Sequence, residues 1–512
     1  MQEAVKHLTL LLALFSVNWN GKSWLDLLDW VKKEEIMEGF TVCSLIKQQL
    51  KISFPKLDGK TNNIANVDMV WNITETFMSM EYHKDEIEKI IIEIKETFRS
   101  RIGHIRDLYI QIEQVIKPTD EARRGNAEIL TPLKLAEEMT NKIPDEFWKE
   151  KKTVFEPTCG KGVFLCLAYE KFLNAGLDKK TILEECLYFA DLNPVNVYIC
   201  KFLLDPLNEY KLNYYIGDTL TLNIETEFKV NKFDLIIGNP PYNSNGNTNT
   251  GNTIWNKFVE KALNTWIKQN GYLVFVHPPG WRKPCYKKSQ LKGLFKLMTN
   301  DNYMIYLEMH NIKDGKKIFN AKTRYDWYVI CLIPALNQHT IIIDYESKHH
   351  KINLIEIFWL PNSNILNVKK IISLTEEEKC KMIMDSSYHA TRDYVSNIES
   401  EEFKYICIHS TPKCGVRYMY SKINDKGHFG ISKVIFGEGG IYNPIIDMKG
   451  VYGMTQGAMA IQVNSLEEAI NISKAISSDK FNTILKSCLF GNYRIDWNIF
   501  TYFKKDFWRD FV

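Results

Sequence analysis

The residues best suited to chemistry lie in the segment 239–242, Asn-Pro-Pro-Tyr, which directly follows the apolar run 235–237. The apolar run predicts a buried strand of a parallel sheet, which ends at Gly238. Because its two prolines have fixed φ angles and no N–H groups, the segment cannot continue as a strand or begin an ordinary helix. We therefore expect a stiff loop at the carboxyl end of a strand, where open α/β sheets bind their ligands.

This loop offers the groups that activation of a planar amine requires. The exocyclic nitrogen of adenine or cytosine is a poor nucleophile, because its lone pair is delocalised into the ring. Two acceptors on its hydrogens would favour a pyramidal nitrogen, and the Asn239 side chain and the Pro240 carbonyl can supply them. Pro241 stiffens the loop, and Tyr242 can stack on the base. A plain turn between a strand and a helix is the alternative, but the presence of Asn239 and Tyr242 beside the prolines favours a functional role for this loop.

A second motif, Glu-Pro-Thr-Cys-Gly-Lys-Gly at 156–162, joins a short strand pattern to a helix pattern. Gly160 and Gly162 allow a ligand to approach the backbone, and a helix N-terminus favours a carboxylate or phosphate. The motif lacks the full dinucleotide fingerprint, so alone it is a weak signal. A second strand ends at Asp191, where an acidic residue can hold a ribose diol.

Strands and helices alternate through the middle of the chain, which predicts a doubly wound, mostly parallel α/β sheet. A third strand precedes Asp218, and the fourth carries the Asn-Pro-Pro-Tyr loop. The pattern predicts strands at 212–216, 271–276, 304–309, 326–333, 340–345 and 354–360, and helices at 195–204 and 255–269.

Length and composition indicate the number of domains and the kinds of surface and site that the chain can have. The 512 residues predict two or three domains, and the net charge of +3 requires any nucleic-acid surface to be local. The 11 cysteines show no metal-binding spacing, so we interpret them as reduced thiols of an intracellular, cytoplasmic protein and expect no metal site. The apolar start at 8–17 could be a weak signal-peptide core, but we favour a buried helix and expect no membrane association.

The flanking regions divide the chain into a helical region at 1–117, a catalytic domain at 118–361 and an α+β domain at 362–512. The polar segment 243–252 predicts a mobile loop, which is either a lid or a tolerated insertion. Arg282, Lys283 and Lys287 begin a basic run that either contacts phosphate or forms a solvated face. The last domain mixes basic and aromatic residues and predicts a second basic wall: Lys413, Arg417, Lys422, Lys433, His409, Tyr418 and Tyr420.

These motifs, in this order, resemble the adenine-N6 DNA methyltransferases of restriction–modification systems, with cofactor motifs first, the Asn-Pro-Pro-Tyr loop next and target recognition last. The resemblance covers about residues 120–345. It implies a Rossmann-like fold that uses S-adenosyl-L-methionine, a flipped-out adenine in double-stranded DNA as substrate, and a cognate restriction endonuclease as an optional partner. Residues 362–512 take the place of the target-recognition domain. Relatives occur in bacteria and in large DNA viruses, so a location inside a viral host is also open.

The resemblance also implies roles for individual residues. Asn239, Pro240, Pro241 and Tyr242 would form the catalytic loop, and Phe319 would contact the other face of the flipped base. Arg282, Lys283 and Lys287 would contact the DNA backbone. The residues implied to hold the cofactor are Thr131, Pro132, Glu156, Pro157, Cys159, Gly160, Gly162, Asp191 and Asp218. Thr131 is also expected to cap a helix whose first turn contains Pro132. For Phe319, a core position capping the sheet stays equally open.

Two other functions remain as alternatives. Asn-Pro-Pro-Tyr also occurs in methyltransferases that modify glutamine amides of proteins, although those enzymes generally lack a large C-terminal domain. A non-catalytic DNA-binding subunit is the third interpretation, and the intact Asn239, Asp191 and Asp218 argue against it.

Overall fold

The computed structural model describes residues 104–115, 130–205, 209–243, 253–285, 289–438, 440–490 and 497–512. The predicted helical region 1–117 and the predicted mobile loop therefore lie largely outside the described residues, as does Lys287. The described end of the N-terminal region is a helix, α1 (Ile105–Val115).

The chain forms two compact units. The first comprises the described residues within 1–278, 286–308 and 312–341, and the second those within 279–285, 309–311 and 342–512. The predicted domain boundaries, at 117 and 361, stay predictions.

The first unit is an α/β structure built on one large sheet. Its strands are β1 (Val154–Glu156), β2 (Leu187–Asp191), β3 (Asn213–Ile216), β4 (Phe233–Gly238), β5 (Ile267–His277), β6 (Tyr303–His310) and β7 (Tyr325–Cys331). Its helices after α1 are α2 (Leu133–Thr140), α3 (Asp145–Trp148), α4 (Val163–Asn174), α5 (Lys179–Thr181), α6 (Pro194–Leu204), α7 (Ile224–Phe228), α8 (Trp255–Lys261), α9 (Leu294–Thr299) and α10 (Ile312–Phe319).

The strand order in this unit is β3-β2-β1-β4-β5-β7-β6. The pairs β2–β3, β1–β2, β1–β4 and β4–β5 are parallel, whereas β5 and β7 are antiparallel. Strands buried on both faces are nearly continuous apolar runs, and β1 and β2, which are buried at every position, are apolar up to the acidic residue that ends each strand. The predicted mostly parallel α/β sheet is confirmed. Its parallel order brings the carboxyl ends of β1 to β4 to one edge.

The second unit is α+β, as predicted. Its strands are β8 (Thr340–Ile343), β9 (His349–Ile352), β10 (Met382–Ile383), β11 (Val395–Ser396), β12 (Tyr405–Ser410), β13 (Arg417–Ser421), β14 (Lys433–Gly437), β15 (Ile445–Asp447), β16 (Gly453–Met454) and β17 (Ala458–Gln462), with β8 beginning at the boundary of the first unit. Its helices are α11 (Ile365–Ile371), α12 (Leu466–Ser477) and α13 (Asp479–Ser487).

Two four-stranded sheets organise this unit, with orders β10-β17-β14-β15 and β11-β13-β12-β16. The main core packs helices and the aromatic tail against the first of these sheets, and Phe481, Phe500 and Phe503 are almost fully buried there. Lys433 was expected on a basic surface. It is instead fully buried, and its Nζ donates to Asp447 Oδ2 at 2.8 Å.

Two predicted elements are wrong. The helix expected at 255–269 ends earlier, because Ile267 already pairs with Phe233 as the first residue of β5. The strand expected at 354–360 is not formed. The Asn353 side chain accepts a hydrogen bond from the Ile355 N–H at 3.1 Å and caps a 3₁₀ turn, Leu354–Glu356, in its place.

Candidate active site

Asn239 to Tyr242 leave the sheet at the end of β4, as predicted from the proline-rich sequence. The loop is attached to its neighbour, because Thr158 Oγ1 donates a hydrogen bond to the Asn239 carbonyl at 3.3 Å. The Asn239 Oδ1 atom is shielded from solvent, and Pro240 is buried. A Cβ on Gly238 would make only ordinary contacts, at 3.7 Å from Pro157 and from Phe275. The strand that carries the Asn-Pro-Pro-Tyr loop lies between β1 and β5.

Tyr242 is 7% exposed, and its hydroxyl has no hydrogen-bond partner among the described residues. Burial raises the pKa of this phenol, and nearby Tyr325 adds to the shift, so Tyr242 is neutral. Its carbonyl accepts from the Ile254 N–H at 3.1 Å, and Asn243 bridges to Thr253. These contacts hold both ends of the segment 243–253 in place at the base of the loop.

Phe319 was expected in a turn, but it is the last residue of α10. The turn follows at Asn320, which has a φ of +53°. The Phe319 ring is only half-buried and meets Tyr325 edge to face, with centroids 4.9 Å apart and planes at 80°. Tyr325, whose ring contacts Phe319, also adds to the upward pKa shift of Tyr242.

The loop after β1 is attached to the end of the neighbouring strand β2. The Gly160 N–H donates to Asp191 Oδ2 at 2.9 Å, and the Cys159 N–H donates to the Ala190 carbonyl at 2.9 Å. Gly160 has a φ of +50°, and a Cβ there would meet nothing within 4 Å, whereas a Cβ on Gly162 would meet Cys200 Sγ at 2.9 Å. Gly160 therefore leaves open space above the loop, and Gly162 allows α4 and α6 to pack closely.

Glu156 is a buried carboxyl group at the end of β1. It is 2% exposed, and its Oε2 atom has no hydrogen-bond partner among the described residues. Burial raises the pKa of Glu156 well above its ordinary value, nearby Cys200 and Asp191 add to the shift, and the Leu165 N–H opposes it. Burial thus favours the neutral form of the carboxyl group, which can donate as well as accept a hydrogen bond.

The two aspartates predicted to bind the cofactor differ in their surroundings. Asp191 is 9% exposed, and its two carboxylate oxygens accept from the backbone N–H groups of Gly160 and Asn193. Asp218 follows β3 and is exposed, with Oδ1 accepting from the Leu220 N–H at 3.0 Å. Asp191 therefore holds the loop after β1 in place, in addition to its expected role in cofactor binding. Asp218, by contrast, is exposed.

Thr131 and Pro132 precede α2, but the predicted cap is wrong. The helix begins at Leu133, Pro132 occupies the N-cap position, and no side chain caps it. Thr131 is buried at 5% exposure. A threonine before a proline suits either arrangement, so the sequence could not fix the boundary.

The first residue of the basic run is not placed to contact phosphate. Arg282 is fully buried and donates through Nη2 to Asn362 Oδ1 at 2.6 Å and through Nη1 to the Pro361 carbonyl at 3.2 Å. This side chain is not placed to contact DNA phosphate, so that prediction is wrong for Arg282. Lys283 is half-buried, burial lowers its pKa, and its Nζ lies 5.7 Å from the Phe490 ring centroid.

Three residues that sequence reasoning missed also shape the site. Thr158 fixes the Asn-Pro-Pro-Tyr loop, and Thr219 Oγ1 donates to the Pro157 carbonyl at 2.8 Å. Lys161, which the sequence left without a role, is buried and donates to Asn196 Oδ1 at 2.8 Å. In the sequence, the two threonines were marked by their positions near prolines and glycines. The hydrogen-bond partners of all three residues lie 35 to 81 residues away in the chain, so the sequence did not indicate them.

Comparison with known proteins agrees with this geometry. Residues 185–319, from just before β2 to Phe319, match the model of the Eco57I restriction-modification methylase family. A comparison with curated protein sequences found no significant match.

Solved structures are similar to this chain at low sequence identity, and one of them shows the fold at a TM-score of 0.50. The type IIL restriction-modification enzyme MmeI, solved in complex with DNA, matches at 12% identity and a TM-score of 0.50, over 96% of this chain and 84% of MmeI. A type I methyltransferase subunit from Streptococcus thermophilus matches at 14% identity and a TM-score of 0.41, over 72% of this chain and 89% of its own. A type I modification subunit from Vibrio vulnificus YJ016 matches at 12% identity and a TM-score of 0.33, over 54% of this chain.

The chain spans 56% of the length of that Vibrio subunit. Together, the matched family and the fold support a methyltransferase of the restriction–modification type. Among the described helices, none is both long and apolar enough to cross a bilayer.

Proposed function

We propose that the protein is a site-specific DNA methyltransferase that transfers a methyl group from S-adenosylmethionine to the N6 amine of adenine. The observation that carries this proposal is the position of Asn239–Tyr242 at the carboxyl end of β4, attached to the glycine loop that follows β1. The family match at 185–319 includes this loop, which supports methyl transfer as its chemistry.

The residues at the carboxyl ends of β1 to β3 fit the cofactor. Gly160 leaves room beside the backbone, and the buried Glu156 Oε2 still lacks a hydrogen-bond partner among the described residues. Asp191 and Asp218 would hold the ribose hydroxyls and the adenine amine, respectively. When bound, S-adenosylmethionine supplies a methyl group that its sulfonium charge has activated.

The protein's contribution to the reaction would be orientation and polarisation of the amine. Asn239 Oδ1 and the Pro240 carbonyl would accept the two amine hydrogens, which directs the nitrogen lone pair toward the methyl donor. The rings of Tyr242 and Phe319 would contact a base outside the duplex, and Tyr325 supports the Phe319 ring edge to face. Extrusion of a base from the duplex costs a few kcal/mol, which stacking on these rings would offset in part.

MmeI was solved in complex with DNA, and we extend that substrate to this chain. The proposal also implies a cognate restriction endonuclease as a partner. The second unit would serve as the target-recognition domain. An intact Asn239 loop at the strand edge favours catalysis over a purely binding role.

Transfer of tritium-labelled methyl groups to unmethylated duplex DNA by the purified full-length chain tests the proposal. We expect incorporation by the wild type and a loss of roughly 10²-fold or more in Asn239→Ala, by analogy with the removal of one polarising group from an active site. Asn174→Ala, an exposed substitution at the end of α4, is the control and should keep full activity. Label in protein but not in DNA, or an active Asn239→Ala, would contradict the proposal.

A further inference from the structure

Both sheets of the second unit present loops at one common end. The hairpin loop 411–416 joins β12 to β13, and β16 runs parallel to β12, so the segment 455–457 leaves at the same end. In the other sheet, β14 and β15 are antiparallel and are joined by 438–444 at the end where β17 begins. The segment that follows β10 leaves there as well, because β10 is antiparallel to β17. We call these segments the loop end.

Hydrogen bonds join the loops of the loop end to one another. The Glu438 N–H donates to the Gly457 carbonyl at 2.9 Å, and Asn443 Nδ2 donates to the Pro412 carbonyl at 3.0 Å. The Ala390 N–H donates to Gln456 Oε1 at 2.9 Å. A Cβ on Gly457 would collide with the His409 carbonyl, so that glycine permits the closest approach. The loop end is therefore a fixed platform built from segments far apart in sequence.

The exposed side chains on this platform are of the kinds that read nucleic acid. Arg417, Tyr418 and Asn443 are exposed, and Lys413 Nζ lies 5.2 Å from the centroid of the Tyr442 ring. Tyr418 and Tyr442 are 46% and 39% exposed, respectively. Arginine and asparagine form bidentate hydrogen bonds with the major-groove edges of guanine and adenine, and lysine contacts phosphates.

Two exposed cations of the loop end have no carboxylate near them in the part of the chain that the structure describes. Among the described residues, neither Lys413 nor Arg417 lies within ion-pair distance of a carboxylate. At the opposite end of β13, by contrast, Lys422 pairs with Glu402 at 3.0 Å. Asp385, at the start of the loop after β10, is hydrogen-bonded to His428, with 3.0 Å between Asp385 Oδ1 and His428 Nε2. The loop end thus retains cations that a polyanion can bind.

We propose that the loop end contacts the target duplex, with Arg417 and Asn443 reading base edges and Lys413 contacting phosphate. This inference rests on the proposed function, because it identifies the surface that would select the methylated site. It assigns specificity to one end of the second unit and excludes the Lys422 end of the same strands.

The test is methylation of a duplex library with randomised sequence, followed by sequencing that identifies each methylated position and its neighbours. Arg417→Ala should relax the preference at one base position by about 5- to 150-fold. Asn443→Gly should do so at another position, and glycine is chosen because Asn443 has a φ of +47°. Lys413→Ala should weaken binding at all sequences and lower the salt-dependence slope by about 1.

Lys422→Ala, which removes an exposed lysine from the opposite end of β13, is the matched control and should leave specificity unchanged. The three alanine variants should keep the wild-type melting temperature, because the substituted side chains are exposed. Asn443→Gly also loses the hydrogen bond to the Pro412 carbonyl, so its melting temperature is measured alongside its specificity. Unchanged specificity and salt dependence in the three loop-end variants would overturn the inference. If the wild type methylates no DNA, the proposed function fails, and duplex binding that is insensitive to Lys413→Ala and Arg417→Ala would then overturn the inference separately.

Discussion

At the residue scale, Asp191 both holds the loop after β1 in place and is proposed to bind S-adenosylmethionine. Its carboxylate accepts from two backbone N–H groups, so removing the side chain would disturb the loop as well as any ribose contact. Asp191→Ala should weaken S-adenosylmethionine binding strongly. Asp191→Asn keeps the size of the side chain, and loss of charged hydrogen bonds should still weaken binding by about ten- to a hundredfold.

Calorimetric titration of the cofactor into each Asp191 variant measures this effect. Asp178→Asn is the control, because Asp178 caps the short helix α5 and has no proposed role in cofactor binding. An unchanged affinity in both Asp191 variants would remove this residue from the cofactor site.

Glu156 predicts a pH dependence of stability. Its folded-state pKa is raised above the ordinary value of 4.5, so the native state holds a proton that the unfolded chain has released. Its contribution to stability is complete below pH 4.5 and is lost as pH rises through the raised pKa. Glu156→Gln should remove this loss. Its melting temperature relative to wild type should therefore rise as the pH increases above 4.5 in thermal unfolding without cofactor. A parallel pH dependence in the two proteins would show that Glu156 is ionised in the fold.

Phe319 is the residue for which binding and packing can be separated by mutation. Base stacking contributes about 1–3 kcal/mol, so Phe319→Ala should lose methyl transfer and base flipping, with little change in melting temperature because the ring is half exposed. Phe172→Ala is the contrast, since a fully buried phenylalanine should cost about 3–5 kcal/mol of stability. Fluorescence of 2-aminopurine at the target position reports flipping. A large fall in melting temperature with a proportionate loss of activity would identify Phe319 as a core residue.

At the element scale, the site depends on loops that follow neighbouring strands and bind one another. Thr158 donates from the loop after β1 to the carbonyl of Asn239 after β4, so it positions the proposed catalytic amide without touching substrate. Thr158→Val should lower kcat more than it raises KM, and Thr158→Ser should restore the rate because it keeps the hydroxyl. Equal effects of valine and serine would assign the loss to packing and not to this hydrogen bond.

Local sequence predicted the elements whose signals are short-range. The apolar run of β4, the prolines that end it and the glycines after β1 have direct physical consequences, and the structure has the strand and loops they imply. The wrong interpretations of two basic side chains occurred where the hydrogen-bond partners are remote in the sequence. Arg282 looked like a surface cation, but its buried acceptors are 79 and 80 residues away, and Lys433 is buried with Asp447.

At the scale of the whole molecule, the two units divide the proposed work. The first presents the strand ends that would hold cofactor and base, and the second presents the loop end that would read the duplex. A net charge of only +3 fits this division, because nucleic-acid binding then depends on a few local cations and not on a uniformly basic surface.

The most direct test of the central claim is the identity of the methylated product. Duplex DNA treated with the full-length protein and S-adenosylmethionine should be digested to nucleosides and analysed by mass spectrometry. The Asn239 loop predicts N6-methyladenine, absent when Asn239→Ala replaces the wild type. N4-methylcytosine alone, or methylated glutamine in protein with unmodified DNA, would contradict the account.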